Sequence, residues 1–474
     1  MSSRIIEPEL GFSKPANRFK NVVLPDPLFP EIRFNTPESK LKSKSFSTFS
    51  FLYEKLSDST IKFIFLYALV NVYIKLAYFP QKVFMYKYKI YNNIALEGRD
   101  YLIKENLTLD EENPEALLLR SKVLSEENFN EGLLCIGRAG AGVNNIPIDI
   151  ASNRAIVVFN TPGANANAVK ELVLCGLLLS SRGIIQGNSF AKSLSIDEPS
   201  KFNSIIEKEK KNFKGHELYG KTLGVVGLGA IGSMVAQSGG ALGMKLMGYD
   251  PYISIDAAWS LPKEVQKANS LEELVGSSDF ISIHVPLHES TKDLISKDLL
   301  KHFKRGSKLI NLSRGGIVNN DDVIDALKNE VLSCFVTDFP SLELSRRSNE
   351  SSDVILLPHI GASTAEAEIN CAVMAAKQVV DFLKNGNIMN SVNFPRIKLS
   401  RSTDHRLVII NKNEPGMIGK IAEFIANEKL NISDMVNKSR EDIAINLIDL
   451  DSKPSRELIQ SLYKIEHVLS VRVC

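Results

Sequence analysis

From Met85 onwards the chain alternates short, β-branched apolar runs with longer stretches whose apolar positions recur at helical spacing. Strand candidates open with YKYKIYNNI, directly after Met85, and continue through ALLLR (116–120), LLCIGRA (133–139) and AIVVFN (155–160). In the turn TPGANAN, Pro162 and Gly163 break the last of these strands. AVKELVLCGLLLSS then predicts a long apolar helix from Asn167 to about Ser181. After a polar, Lys/Glu-rich stretch (188–217), strands are expected at TLGVV, KLMGY, FISIHVPL (280–287), KLINLS (308–313) and CFVTDF. This alternation predicts an α/β protein built on doubly wound parallel sheet.

Beyond residue 389 the rhythm changes. NSVNFPRIKLSRSTD (390–404) reads as a linker. HRLVIINKN then predicts a strand, EPGMIGKIAEFIANEKL a turn and an amphipathic helix, ISDMVNKS and EDIAINLIDL two strands, SRELIQSLYKI a helix and VLSVRVC a last strand. That βαββαβ order predicts a separate ferredoxin-like α+β module over 405–474.

Residues 1–84 do not share the pattern. They hold 11 of the 23 phenylalanines but one glycine of 28, Gly11, and 12 Lys/Arg against 7 Asp/Glu. The run FIFLYALVNVYIKLAYF (63–79) approaches the minimum length for a membrane span, but Asn71 and Lys75 interrupt it. It lies too far from the N-terminus, and lacks the small-residue cleavage site, for a secretory signal. We expect 1–84 to be an atypical extension outside the functional protein, with synthesis starting at Met85; a membrane anchor or targeting arm is the competing reading. Over the whole chain the composition is that of a soluble globular protein, 44% hydrophobic and 24% charged, and a net charge of +2 gives no case for nucleic acid as a partner. Five cysteines, scattered and never spaced as CxxC, fit reduced thiols in a cytoplasmic protein better than disulfides or a zinc site.

The most informative local motif is GKTLGVVGLGAIG. Gly227, Gly229 and Gly232 give the spacing GxGxxG after an apolar strand and at the head of a helix. The first glycine permits a tight turn, the second lets a pyrophosphate approach the backbone, and the third lets helix pack on strand. The free N–H groups of that helix start favour an anion. Asp250, at the end of the next strand, offers a carboxylate to ribose hydroxyls and repels a 2′-phosphate, which favours NAD over NADP. Three polar residues are expected on loops after strands: Arg314 in NLSRGG, Glu343 in TDFPSLE and His359 in VILLPHIGAS. Oxidising a secondary alcohol with NAD needs a base for the hydroxyl proton and a cation for a carboxylate and the developing carbonyl. Histidine suits the first task and arginine the second, and a neighbouring carboxylate would orient the imidazole. There is no HExxH, and the seven histidines show no metal-ligand spacing.

Taken in order, GVVGLGAIG with Asp250, HVPL, NLSRGGIVN, VTDFPSLE and LPHIGASTAEAE resemble the signatures of the D-2-hydroxyacid dehydrogenases, and RAGAGVNNIP (138–147) and FNTPGANANAVKELVL (159–174) extend the likeness. The resemblance covers roughly residues 85–474. It implies a Rossmann-type NAD domain (184–357) inserted in a flavodoxin-like substrate domain (85–183 and 358–389), with a cleft between them. It implies Arg314 as carboxylate binder, His359 as acid/base and Glu343 as its partner. Gly227, Gly229, Ala230, Ile231, Gly232, Asp250, Pro286 and Asp338 would bind cofactor, Asp338 near the nicotinamide carboxamide. The members it is most similar to oxidise 3-phosphoglycerate to 3-phosphohydroxypyruvate, the first step of L-serine biosynthesis. LLRSK resembles their phosphate-side loop, which makes Arg120, Ser121 and Asn165 substrate contacts, with Lys122 adding charge. The terminal module is similar to an ACT domain, which implies a homo-oligomer with L-serine as effector at Asn413 and Asn431. Asn411 stands where such relatives have a histidine, which weakens that implication. A glyoxylate or hydroxypyruvate reductase, and an NAD-sensing corepressor-like protein, are the alternative readings of the same scaffold.

Overall fold

The structure, a computed structural model, describes residues 86–259 and 261–474. The expectations for 1–84 lie outside these residues. Among the described residues no helix is long and apolar enough to cross a membrane.

The first lobe is a parallel sheet of β1 (Lys87–Ile90), β2 (Thr108–Leu109), β3 (Ala116–Leu119), β4 (Cys135–Arg138) and β5 (Val157–Phe159), in the order β2-β1-β3-β4-β5. That is the flavodoxin-like order. Helices α1 (Leu96–Lys104) and α2 (Ile148–Asn153) connect its strands. β3 is buried along its whole length, and its ALLL run accordingly shows no alternation.

Helix α3 (Ala166–Ser181) leaves this lobe. Its Val169, Val173 and Leu177 join the core of the second sheet, and the bare flank of Gly176 faces Val336 and Ile310. By packing, the chain therefore changes lobe in the turn 161–165, earlier than the expected boundary at 183. The polar stretch that follows forms α4 (Ile184–Ser193) and α5 (Pro199–Glu209), neither with a buried residue.

The second lobe contains β6 (Thr222–Val226), β7 (Lys245–Tyr249), β8 (Gln266–Lys267), β9 (Phe280–Ile283), β10 (Ser307–Asn311), β11 (Leu332–Thr337) and β12 (Val354–Leu356). All pairings are parallel, and the order β12-β11-β10-β9-β6-β7-β8 reverses between β6 and β9. This is a Rossmann sheet with a seventh strand, and its switch point lies beyond Val226 and Ile283. The helices used below are α6 (Ala230–Ala241), α7 (Leu271–Ser277), α8 (Asn320–Lys328) and α9 (Leu342–Glu350). FISIHVPL stays in the sheet only as far as Ile283, because Pro286 has no N–H for a central ladder.

Helix α10 (Ala365–Asn385) then returns to the first lobe. Thr364 caps its start through the Ala367 N–H, and Gly386, at φ 71°, ends it in the left-handed conformation. Its Val379, Val380, Phe382 and Leu383 complete the first lobe's core.

The C-terminal module has β13 (His405–Lys412), α11 (Met417–Asn427), β14 (Ile432–Arg440), β15 (Ile443–Leu450), α12 (Arg456–Tyr463) and β16 (Val468–Val473), with antiparallel order β14-β15-β13-β16. The ferredoxin-like expectation holds. The expectation of a tethered, separate module does not. One face of this sheet is covered by α11 and α12, while Val408, Ile410, Ile443, Ile445 and Leu447 on the other share a core with Phe382 and Leu383 of α10. Phe394, Ile397 and Leu399 in the expected linker are buried in that same core. Arg472 donates to the carbonyls of Phe382 and Leu383, and its guanidinium stacks 4.4 Å from the Phe382 ring centroid. A fully buried pair, Arg406 and Asp449, faces across β13 and β15, with Nε–Oδ1 2.5 Å and Nη2–Oδ2 2.8 Å. The remaining Arg406 nitrogen donates to the carbonyls of Asn385 and Leu399, which staples helix end, connecting segment and sheet together.

Candidate active site

The glycine turn sits where the strand order reverses. Gly227 has φ 87°, and a Cβ there would come within 2.9 Å of the His284 carbonyl, so the position admits glycine alone. A Cβ on Gly232 would lie 1.9 Å from the Gly227 carbonyl oxygen, which is the close helix-on-strand approach. A Cβ on Gly229 would meet nothing within 4 Å, leaving open space at the head of α6. Ala230 and Ile231 form the first turn of that helix. These three environments fit the tight turn, pyrophosphate approach and helix contact of a dinucleotide cradle. Asp250 follows β7, and its carboxylate accepts the N–H of Leu228 at 2.8 Å and of Tyr252 at 2.9 Å. It thus braces the turn from the strand end where the ribose is expected. Pro286 lies exposed past the end of β9, and its carbonyl accepts the Thr291 hydroxyl at 2.7 Å.

His359 lies just past β12 at φ 55°, a backbone region that costs a non-glycine residue on the order of 1 kcal/mol. Its N–H donates to the Asp338 carbonyl at 3.1 Å. The buried Asp338 carboxylate accepts the next two N–H groups, Ile360 at 2.8 Å and Gly361 at 2.6 Å. The expected carboxamide partner is therefore also the clamp on the histidine loop, a role the motif alone did not disclose. The imidazole meets the Phe339 ring edge to face, centroids 5.1 Å apart.

Glu343 is a correction. It was expected on a loop beside His359, but Ser341 caps α9 through the Leu344 N–H and draws Glu343 into the first helical turn. Its exposed carboxylate is held below the usual range by its own backbone N–H and the Ser341 hydroxyl. Neither a hydrogen bond nor an ion pair joins it to His359 among the described residues.

A cavity of about 440 Å³ is lined by His359 and Arg314 from one side and by Arg120, Ser121, Arg138 and Asn165 from the other. Arg314 follows β10, its carbonyl accepting the Asn311 side-chain amide at 2.9 Å. The turn at Gly142 faces it closely: a Cβ there would lie 3.7 Å from an Arg314 terminal nitrogen. Arg120 leaves the end of β3 and pairs with Glu368 of α10 at 2.5 Å. Arg138, at the end of β4, was quoted in a motif but not singled out. Its Nε donates to the Arg120 carbonyl at 3.1 Å. Burial, with Arg314 and Arg120 nearby, pulls its pKa below the ordinary arginine value. An arginine ending an apolar strand, as Arg120 follows the end of the neighbouring one, was the signal that could have found it; Arg138 is the register partner of Leu119, one residue before Arg120. Lys122 is exposed and does not line the cavity.

The effector candidates are not one site within a chain. Asn413 follows β13 at the Ile443 end of β15, whereas Asn431 precedes β14 at the Leu450 end. Asn411 is buried, its side-chain carbonyl accepting from Asn446 at 2.8 Å.

A dinucleotide cradle at the switch point of a Rossmann sheet, with a cavity that brings a histidine and an arginine from the ends of that sheet's strands together with two arginines of the first lobe, defines the class of an alcohol-oxidising dehydrogenase scaffold. Comparison with known proteins makes the class narrower. Residues 177–361 match the family described as D-isomer specific 2-hydroxyacid dehydrogenase, NAD binding domain. The chain is 32% identical over 349 residues to a D-3-phosphoglycerate dehydrogenase of Haemophilus influenzae, covering 72% of this chain and 81% of that one. It is 35% identical over 286 residues to a D-3-phosphoglycerate dehydrogenase of Bacillus subtilis, which covers 59% of this chain. It spans about half, 52%, of that relative's length. The crystal structure of NAD+-bound 3-phosphoglycerate dehydrogenase from Entamoeba histolytica superposes with a TM-score of 0.52 at 28% identity, covering 65% of this chain and 98% of that one. The chain belongs to the D-isomer specific 2-hydroxyacid dehydrogenase family, and 177–361 is its NAD-binding region.

Proposed function

We propose that the protein oxidises 3-phospho-D-glycerate to 3-phosphohydroxypyruvate with NAD, the first step of L-serine biosynthesis. The observation that carries this reading is a cavity lined jointly by His359, Arg314, Arg120 and Arg138. A substrate with a carboxylate at one end and a dianionic phosphate at the other needs cations at both ends. Arg314 and His359, from the ends of β10 and β12, line this cavity together with Arg120 and Arg138 from the ends of β3 and β4. In this reading Arg314 grips the carboxylate and polarises the adjoining carbonyl as it forms. His359 takes the hydroxyl proton, and returns it in the reverse direction. Arg120, Arg138, Ser121 and Asn165 hold the phosphate. NAD, when bound at Gly227–Gly232 and Asp250, supplies the hydride acceptor. The names of the relatives point to the same substrate.

The effector reading requires a second copy of the chain. Because Asn413 and Asn431 lie at opposite ends of β15, a serine touching both would sit between subunits of a homo-oligomer. A serine titration of activity tests this part separately.

The substrate reading is tested by Arg120→Ala and Arg138→Ala assayed by NADH absorbance. Each should raise the KM for 3-phosphoglycerate about tenfold or more, while leaving the KM for NAD near the wild-type value. A wild-type KM for 3-phosphoglycerate in both variants would exclude a phosphate site there, and faster turnover of glyoxylate or hydroxypyruvate would move the assignment to the reductases.

A further inference from the structure

Among its described lining residues the cavity has one acidic side chain, Glu368. It stands in the first turns of α10, and its Oε1 lies 2.5 Å from Nη1 of Arg120. The two side chains are 46% and 36% exposed, so solvent reaches the pair and either partner can exchange for a ligand. The pairing is odd for a wall that otherwise gathers cations. An anion arriving at this end meets a guanidinium already engaged, with a carboxylate beside it that repels the newcomer.

We propose that Glu368 is a specificity-determining residue that sets the cleft's affinity for phosphate. In the free protein it serves as the counter-ion of Arg120. On binding, a phosphate displaces the Glu368 carboxylate from the guanidinium, which a dianion with three acceptor oxygens does more readily than a monoanionic carboxylate. Arg138, whose Nε is tied to the Arg120 backbone, has no acidic partner among the described residues and remains available throughout. The inference rests on the reading of this cavity as a phosphate-binding cleft, and it adds an unusual sign. Removing a cleft-lining charged residue improves binding.

The test measures the dissociation constant of inorganic phosphate by calorimetry for the wild-type chain, Glu368→Gln and Arg120→Gln, together with the KM and kcat for 3-phosphoglycerate. Glu368→Gln should tighten phosphate binding roughly three- to tenfold and lower the KM by a similar factor, with kcat held. Arg120→Gln should weaken both. If Glu368→Gln leaves phosphate binding unchanged or weaker while Arg120→Gln weakens it, Glu368 merely positions Arg120; the proposal fails and the phosphate-cleft reading stands. If all three chains bind phosphate equally, or none binds it, both fail together.

Discussion

Asp338 and His359 are bound to each other through the backbone, the His359 N–H donating to the Asp338 carbonyl at 3.1 Å, while the Asp338 carboxylate takes the two N–H groups that follow. Three consecutive amides are thereby anchored to one buried residue. Hydrogen bonds to a charged acceptor are worth about 1.5–3 kcal/mol each, more than the strain of a left-handed histidine. The sheet thus supplies β11 and β12 side by side, and Asp338 converts that adjacency into a fixed position for the imidazole.

Asp338→Asn tests this anchoring. The amide keeps the shape but offers one acceptor in place of two, turning an NH2 towards a backbone N–H. The expected result is a kcat lowered by about tenfold to a hundredfold, because small misplacement of a reacting group is costly. The dissociation constant of NADH should rise less than kcat falls, since the expected carboxamide contact is only one of the residues that hold the cofactor. A kcat equal to wild type would show that the clamp does not govern His359.

The glycines separate a folding role from a binding role. Gly229→Ala places a methyl in open space, so its melting temperature should match wild type while NADH affinity falls about tenfold or more, since the methyl occupies the path of the pyrophosphate. Gly232→Ala must displace the Gly227 carbonyl, so it should lower the melting temperature as well. Equal thermal stability in the two variants would contradict this division.

His284 supplies a pH dependence. Burial pushes its imidazole down to about 3; Nε2 lies 2.8 Å from the Ser282 hydroxyl and Nδ1 is buried with no partner among the described residues. A histidine depressed in the folded state takes up a proton on unfolding. Its contribution is complete above the unfolded value of about 6.5 and is lost as pH falls from there towards the folded value. Unfolding free energies from urea titrations between about pH 6.5 and pH 4 should fall less steeply for His284→Gln than for wild type, by at most about 1.4 kcal/mol per pH unit. Identical slopes would remove this group from the acid limb.

The module's attachment centres on Arg406 and Asp449. Burial raises the Asp449 carboxyl, but the hydrogen bonds from Arg406 and Ser402 outweigh it and hold the group below its ordinary value. Asp449→Asn leaves a buried guanidinium without its counter-charge and should cost about 3–5 kcal/mol by denaturant unfolding. A loss below about 1 kcal/mol would show that the ion pair is not needed to hold sheet and helix together.

Much of this was legible in the sequence. Strand runs such as TLGVV and ALLL, with glycines at fixed offsets, announced both sheets and the cradle, because buried parallel strands are apolar throughout. The expectation of a loop at Glu343 failed because a serine three residues before Leu344 competes for that segment as a helix cap, and a motif's spacing does not reveal which wins. The detached module failed for a reason that was in view. LVII and IAINLI do not alternate, as the central strands of a sheet with one solvated face would, and both strands are buried on two faces. Arg138 was missed because its role depends on β3 and β4 lying in register, which no local pattern states.

The central claim is that His359 moves the substrate proton. Its most direct test is the rate of NADH formation from 3-phosphoglycerate by His359→Gln beside wild type, with NADH binding measured on the same preparations. Turnover by the wild-type chain, a loss of about a hundredfold to ten-thousandfold in the variant, and the same NADH dissociation constant in both are expected. A variant that turns over at the wild-type rate, or a wild-type chain that binds NADH and forms none from any 2-hydroxy acid, would contradict it.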